Sequence, residues 1–410
     1  MSEILKFLLV SFLIFDELNS QENNFLAEIK SSPHESGFWW NDYNNYGLDL
    51  SKINFSSKIN IIRGNVTYFS QIFILDDKVN LRFKETYLKI SIKNNTFLKI
   101  GKYYRDFSNY FNDDLSSGHF LISRNSSPMP KIGIVSNKTF KKFRKLDFDY
   151  GIAHGQFKKD DFYLEAPFLH EKFLYMNIDL KQNKKLSIGI VHEAIWAGET
   201  QELGKLPSSF KDYLKVFISA DGPLLEGEPH PNALGSHVGI WDFNFNKKYE
   251  GDRSIKLYYQ HYFEDTSSLR FANKTDGLWG AELINFLPKT NFLVEYINTK
   301  NAWSDPPYQR DYYYWNYQYK LGWSYENNAL GNPLVKAFKL GEFLHLGSKG
   351  EISEYHYDLR ILRKINAHDN FKYTFSINKN INNRLKVGVY TMNSSSKSNF
   401  YGISFSTFFK

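Results

Sequence analysis

The feature that most constrains this chain is a two-residue rhythm of apolar and polar side chains. It is clearest from Asn232 to Thr299, which reads as successive strands of about ten residues each. In Trp241-Asp242-Phe243-Asn244-Phe245-Asn246 the odd positions are aromatic and the even ones polar. Ile255, Leu257, Tyr259 and Phe263 then alternate with Lys256, Tyr258, Gln260 and Glu264. Neighbouring side chains of an extended chain point to opposite faces, so each strand has one apolar and one polar face. A half-buried soluble strand gives the same alternation. The number of strands and the sorting of their connections must therefore decide between the two.

The rhythm continues on both sides. Leu88, Ile90 and Ile92 oppose Lys89, Ser91 and Lys93, followed by a tight Asn94-Asn95 turn. Leu174, Met176, Ile178 and Leu180 oppose Tyr175, Asn177, Asp179 and Lys181. Tyr355 to Ile361, Phe371 to Ile377 and Leu385 to Val389 repeat the pattern. The last strand alternates Tyr401, Ile403, Phe405, Thr407 and Phe409 with small or polar residues, and Lys410 follows Phe409. Aromatics make up 18% of the 410 residues although the mean hydropathy is −0.47. That combination suits strands with a single apolar face, and no internal run reaches the roughly 20 apolar residues of a membrane helix.

Loop lengths test the idea independently. If the C-terminal strand runs inward, the short connections at Asn94-Asn95, Gln182–Lys184, Asn246–Asp252, Leu287–Asn291 and Asn380–Asn383 share one side. The longer connections around 105–128, 157–169, 197–234, 265–274 and 300–334 fall on the other. Short periplasmic turns and long outer loops mark a transmembrane β-barrel. The reading is an all-β, antiparallel barrel of about 18 strands, with 16 as the fallback. The run Phe7 to Phe15 after Lys6, with Ser20 before the cut, has the layout of a secretory signal over 1–20. Residues 21–57 are expected to form an N-terminal segment with room for the first strands, and 58–410 the barrel. Within 21–57, Gly37 to Trp40 looks like strand and Asn41 to Gly47 like a turn or loop.

Composition excludes several functions. With no cysteine there is no disulfide, thiolate metal site or Cys nucleophile. The net charge is +7, but no basic run is dense enough to suggest nucleic acid. G-x-S-x-G, P-loop and G-x-G-x-x-G motifs are missing, and His192-Glu193 lacks the second histidine of H-E-x-x-H. No catalytic residue, metal or cofactor is assigned, and an outer-membrane hydrolase is the weakest alternative.

Binding chemistry concentrates in the long loops. Residues 300–334 carry Trp303, Tyr308, Arg310, Tyr312, Tyr313, Tyr314, Trp315, Tyr317, Tyr319, Trp323 and Tyr325. Aromatic faces stack on the C–H faces of sugar rings, and planar polar groups bond their hydroxyls. Arg124, Asn125 and Arg310 could meet uronate carboxylates through charge-assisted bonds. For any single tyrosine, packing of the loops over the barrel mouth is the better reading. Asp242, His261, Glu264, Asp265, Asp276 and Glu295 gather in one region. Paired carboxylates can cleave glycosides, but a hydrogen-bonded network filling the lumen accounts for them more simply.

Several segments together resemble the Wzi-type capsule assembly proteins. They are Ala166–Glu171 (APFLHE), Leu203–Tyr213 (LGKLPSSFKDY), Asn232–His237 (NALGSH), Tyr258–Asp265 (YYQHYFED), Asp276–Gly280 (DGLWG) and Gly331–Leu334 (GNPL), with Ser123-Arg124-Asn125, Pro130 and Gly133. The resemblance covers about residues 115–340. It implies an eighteen-stranded outer-membrane barrel acting as a lectin that holds capsular polysaccharide or exopolysaccharide at the cell surface. The periplasmic helical bundle of enteric members is not expected, because 21–57 is short and lacks helical periodicity. The expected sugar contacts are Arg124, Asn125, His237, Asp265, Trp303, Arg310, Tyr312, Tyr314, Trp315 and Trp323. Expected partners are the polysaccharide, outer-membrane lipid and the barrel-assembly machinery, with the chain a monomer. The alternative is a porin-like channel for sugars or small solutes, which inward Tyr175, Tyr258 and Tyr390 disfavour.

Overall fold

The computed structural model describes residues 24–31, 43–48, 53–75, 80–93, 95–108, 114–139, 146–224, 231–264, 266–303, 311–367, 371–394 and 397–409. The leader over 1–20, the Gly37–Trp40 stretch, Asn94, Asp265, Tyr308 and Arg310 lie outside these residues. The wall begins with β1 (Asn24–Ser31), β2 (Ile53–Arg63), β3 (Val66–Leu75), β4 (Asn80–Ile92), β5 (Thr96–Tyr103) and β6 (Met129–Thr139). It continues with β7 (Leu146–Gln156), β8 (Phe168–Leu180), β9 (Lys184–Trp196), β10 (Ser236–Lys248), β11 (Ser254–Phe263) and β12 (Gly277–Leu287). β13 (Thr290–Asn298), β14 (Glu342–Ile352), β15 (Tyr355–Lys364), β16 (Phe371–Asn380), β17 (Leu385–Ser394) and β18 (Lys397–Phe409) complete it.

These eighteen strands form one sheet in which each pairs antiparallel with its neighbours in sequence. The sheet closes where β1 pairs with β18, Ala27 opposite Phe409 and Ser31 opposite Phe405. Eighteen is thus the strand count, and β1 and the start of β2 fall within 21–57. Closure is what a membrane demands, because hydrocarbon offers no partner to an open edge.

Burial is inverted relative to a soluble protein. On β11, Lys256 is 1% exposed whereas its neighbour Leu257 is 47% exposed. Glu171, Asn177, Glu193, Asp242, Asn244, Gln260, Glu282 and Glu295 are all buried on the inner face. Ile132, Ile134, Leu174, Val294, Val389 and Ile403 stand exposed on the outer one. Only a chain whose exterior solvent is acyl chain makes sense of that arrangement. Trp241, Tyr259 and Trp279 form part of an aromatic girdle near the loop-bearing end. Tyr259 and Trp279 stack with centroids 3.7 Å apart.

The connections sort by length as expected. Between β3 and β2, β13 and β12, or β15 and β14, two residues suffice, whereas 104–128, 197–235 and 299–341 are long. By that sorting the short-turn end is periplasmic. The lumen holds a polar cavity of about 1120 Å³ there, lined by residues including Asn285, Lys349, Tyr357, Asn378 and Arg384.

Inside the wall, aromatic rings lie flat over glycines on the adjacent strand. Tyr175 covers Gly189, Tyr258 covers Gly280 and Tyr390 covers Gly402. A Cβ on Gly280 would fall inside the Tyr258 ring, so the glycine is needed for close approach.

Two expectations follow. Val294→Arg, at the middle of β13 on the lipid face, should cost about 2–4 kcal/mol of stability in urea unfolding from vesicles. Gly280→Val should lower the same midpoint by about 1–3 kcal/mol through displacement of Tyr258.

Candidate functional site

The loop-bearing end is built from the wall inward. Residues 114–128 cross the lumen, and Leu115, Phe120 and Leu121 are fully buried there. Nothing in hydrophobic burial alone holds a loop inside a polar tube; hydrogen bonds to the wall do. Ser116 Oγ donates to Glu295 Oε1 at 2.8 Å, and the Ser117 amide donates to Glu295 Oε2 at 2.8 Å. Tyr258 also donates to Glu295, at 2.7 Å. The Phe120 amide donates to Gln260 at 3.0 Å, and His345 Nε2–H donates to the Leu115 carbonyl at 2.6 Å. The plug is thus anchored on β11, β13 and β14.

A second loop layer lies on the first. Asn332 Nδ2 donates to the Gly118 carbonyl at 2.6 Å and to Ser117 Oγ at 3.1 Å. Ser123 Oγ donates to the Gly331 carbonyl at 2.7 Å, and the Ser123 amide to the Leu330 carbonyl at 2.7 Å. Trp323 Nε1–H donates to the Leu121 carbonyl at 2.7 Å, and Tyr314 bonds the Phe120 carbonyl. Asp276 receives the Asn301 amide at 2.7 Å and the Tyr313 hydroxyl at 2.8 Å. Burial pushes the Asp276 carboxyl above its usual range despite those donors, and burial beside that carboxylate pushes the Tyr313 hydroxyl up. Glu264 takes the Tyr262 hydroxyl at 2.6 Å and the Tyr314 amide at 2.7 Å. The 43–48 turn joins through Asn44, whose side-chain amide donates to the Ser117 carbonyl at 3.0 Å.

His119 sits in the plug with Nδ1 accepting the Leu121 amide at 3.1 Å. Burial, reinforced by the charges of Arg105 and Lys256, holds its pKa well below the ordinary histidine value.

The sequence-derived residues separate into distinct environments. Trp323 and Tyr314 are buried in the loop layers, with Trp323 at 2% exposure. Asn125 is buried and donates to the Ala329 carbonyl at 3.0 Å. Arg124 pairs with Asp114 at 3.0 Å, and Asp114 also meets Lys349, which lines the periplasmic cavity. The Arg124 guanidinium therefore lies on the inner side of the plug. Burial would raise the Asp114 carboxyl, but Arg124 and Lys349 outweigh that and hold it below its usual range. His237 lies on the outer wall of β10, its Nδ1 2.8 Å from His192 Nε2. Trp303 is partly exposed, near a short helix α2 (Thr266–Leu269).

Tyr312 and Trp315 remain half-exposed and converge on Phe338, at centroid distances of 4.6 and 5.6 Å. Phe338 is 60% exposed. Close in sequence, Lys336 reaches the Tyr43 hydroxyl at 3.2 Å. Phe338 and Lys336 went unremarked in the sequence because a lone aromatic among lysines carries no periodic signal. The carboxylates that could have formed an acid–base pair are otherwise engaged. Asp242 takes Tyr175 at 2.6 Å and Asn244 at 2.7 Å, while Glu295, Asp276 and Glu264 hold loops.

Against this geometry, a family model described as capsule assembly protein Wzi matches residues 28–344. No curated protein matches the chain. Among solved structures it is similar to an Escherichia coli outer-membrane protein, Wzi, described as involved in group 1 capsule assembly and as a carbohydrate-binding β-barrel. That similarity has 12% identity and a TM-score of 0.65, over 97% of this chain and 86% of the other. An engineered porin of Rhodopseudomonas blastica aligns with 8% identity and a TM-score of 0.41, over 95% of this chain and 99% of the other.

Glu295→Ala should release the plug, costing about 1–3 kcal/mol as the Ser116, Ser117 and Tyr258 donors lose their acceptor. Limited proteolysis should then cut within 104–128, and planar-bilayer recordings should show new conductance. A depressed folded pKa at His119 gives stability that is present above the unfolded value of 6.5 and lost as pH falls below it. His119→Asn should flatten the decline of the urea midpoint between about pH 7.5 and about pH 5, by at most about 1.4 kcal/mol per pH unit.

Proposed function

The chain belongs to the Wzi capsule assembly protein family, and from that premise we propose that it is an outer-membrane lectin. In this reading it binds capsular polysaccharide or exopolysaccharide at the cell surface and helps to attach or assemble it there. The observation that carries the reading is a barrel plugged toward the loop-bearing end that still presents solvent-accessible aromatic rings there. A channel needs a continuous lumen, and the bonds from 116–121 to Glu295, Gln260 and His345 oppose one. A hydrolase needs reachable acid and base groups, whereas Glu295, Asp276 and Glu264 hold loops and Asp242 is bonded to Tyr175 and Asn244.

Tyr312, Trp315 and Phe338 are the proposed stacking platform, each offering an apolar face beside water. Lys336 beside Tyr43 supplies a cation for acidic sugars. Trp303, Arg310 and Asp265 are proposed as peripheral contacts. The buried Asn125, Tyr314 and Trp323, together with Arg124 beneath them and His237 outside, would act by holding the platform in place. The chain is proposed to work as a monomer, inserted by the barrel-assembly machinery that reads aromatic-rich terminal strands such as β18.

Trp315→Ala should weaken binding on a glycan array by about tenfold or more without moving the unfolding midpoint. Trp323→Ala should instead lower the midpoint by about 3–5 kcal/mol. In cells, deletion should leave polymer synthesis intact and shed polymer into the medium. Unchanged surface retention in the deletion strain would overturn the proposal.

A further inference from the structure

The 197–235 connection does not simply extend into solvent. It carries α1 (Phe210–Phe217), which packs against the outside of the barrel wall. Ser209 caps it with a capping box to Asp212, whose carboxyl is held below its usual range first by the Ser209 hydroxyl. One stripe of the helix, Tyr213 and Val216, faces the wall. Tyr213 meets His154, His170 and Trp196 at centroid distances of 5.7, 5.5 and 5.5 Å. Those three are outward-pointing residues of β7, β8 and β9.

A second apolar stripe adjoins the first, and Lys211, Asp212 and Lys215 take the remaining face. Phe210 is 74% exposed, Ile218 just past the helix is 70% exposed, and Leu214 and Phe217 are exposed too. Positions 210, 214, 217 and 218 fall on one side of a 3.6-residue helix. The apolar arc is therefore wider than the wall alone covers, while the charged face turns to water, as in an amphipathic helix at an interface.

The place of the helix on the wall identifies the missing cover. On β8 the register runs from His170, under the helix, through Lys172 to Leu174, which stands in the exposed outer belt. On β7 it runs from His154 to exposed Tyr150. A tilted strand climbs about 2.6 Å per residue, so four residues place the helix about 10 Å above the belt. Lys172 lies between, its ammonium 4.4 Å from the centre of the Phe217 ring. A half-buried lysine on a lipid-facing wall reaches toward the headgroups.

We propose that α1 is an interfacial helix whose outer stripe, Phe210, Leu214 and Ile218, inserts into the outer leaflet beside the barrel, with Phe217 at the wall edge against His170. The occupant of the stripe is membrane lipid, because the stripe lies on the same outer wall as the exposed Leu174 and Tyr150, about 10 Å further out, at headgroup height. Amphipathic helices of this kind bury their apolar face about 5–10 Å into the headgroup boundary. Inserted at its rim, the helix covers the outward histidines and fixes one wall of the barrel at a set depth.

The chain has no cysteine, so single cysteines can be spin-labelled in the full protein. Leu214→Cys and Ile218→Cys, with Phe210→Cys as a third position should either fail to fold, leave the packing face untouched. Each is reconstituted in vesicles of phosphatidylethanolamine and phosphatidylglycerol, with Leu174→Cys as the bilayer control and Ser208→Cys as the loop control. Collision with oxygen should exceed collision with a water-soluble nickel chelate at 210, 214 and 218, as at 174, and the order should reverse at 208. Nickel dominating at the helix positions would place the stripe in water and overturn the proposal. Exclusion of both reagents would mean that protein covers the stripe, and would overturn it equally.

Discussion

The loop-bearing end is organised by one constraint: polar groups buried between the wall and the loops are costly without partners. Glu295 illustrates it. Its carboxylate projects from β13 into the lumen and would be costly there alone. Ser116, Ser117 and Tyr258 satisfy it, and in doing so fix where residues 114–128 run. The second loop layer can be ordered only because the first is. Asn332, Ser123 and Trp323 bond to backbone groups that the plug presents. The exposed aromatics thus stand on two hydrogen-bonded floors supported from the wall.

This construction separates the two ends of the molecule. Toward the periplasm the lumen is a polar cup; toward the outside it is closed by packed loops. Passage through the centre is opposed, and in the proposed lectin recognition would fall to the surface. A lectin needs only a rigid presentation of rings and polar tips, and layered loops provide it without a pore. The lipid-facing side adds a second fixed reference, since α1 lies along the wall at the rim of the acyl belt.

The strands were legible in the sequence because their alternation obeys a local rule, and loop sorting added a test that needs no structure. Lys256 and Leu257 sit on opposite faces as their chemistry dictates. β1 was harder to see because Asn24–Ser31 is short and its sequence, NFLAEIKS, alternates only weakly. Loop destinations were not legible at all. Nothing local in Ser116-Ser117 says that those groups meet Glu295, which lies far along the chain. Arg124 looked like a sugar contact from its neighbours in sequence, yet its partner is Asp114 under the plug. His237 looked like a mouth residue, but strand parity turns it onto the outer wall beside His192. The aromatic cluster of 312–323 was recognisable as a group; which rings face water depends on long-range packing.

The seam between β1 and β18 has a consequence for how the molecule comes into being. Its register joins Ala27 to Phe409, so the two margins that meet last are separated by almost the full polypeptide. Until that meeting, both margins expose unsatisfied amides and carbonyls capable of recruiting strands from other molecules. Pairing of strands so far apart in sequence is intrinsically slow and leaves free borders open to wrong partners, so the closing seam is where misassembly would begin.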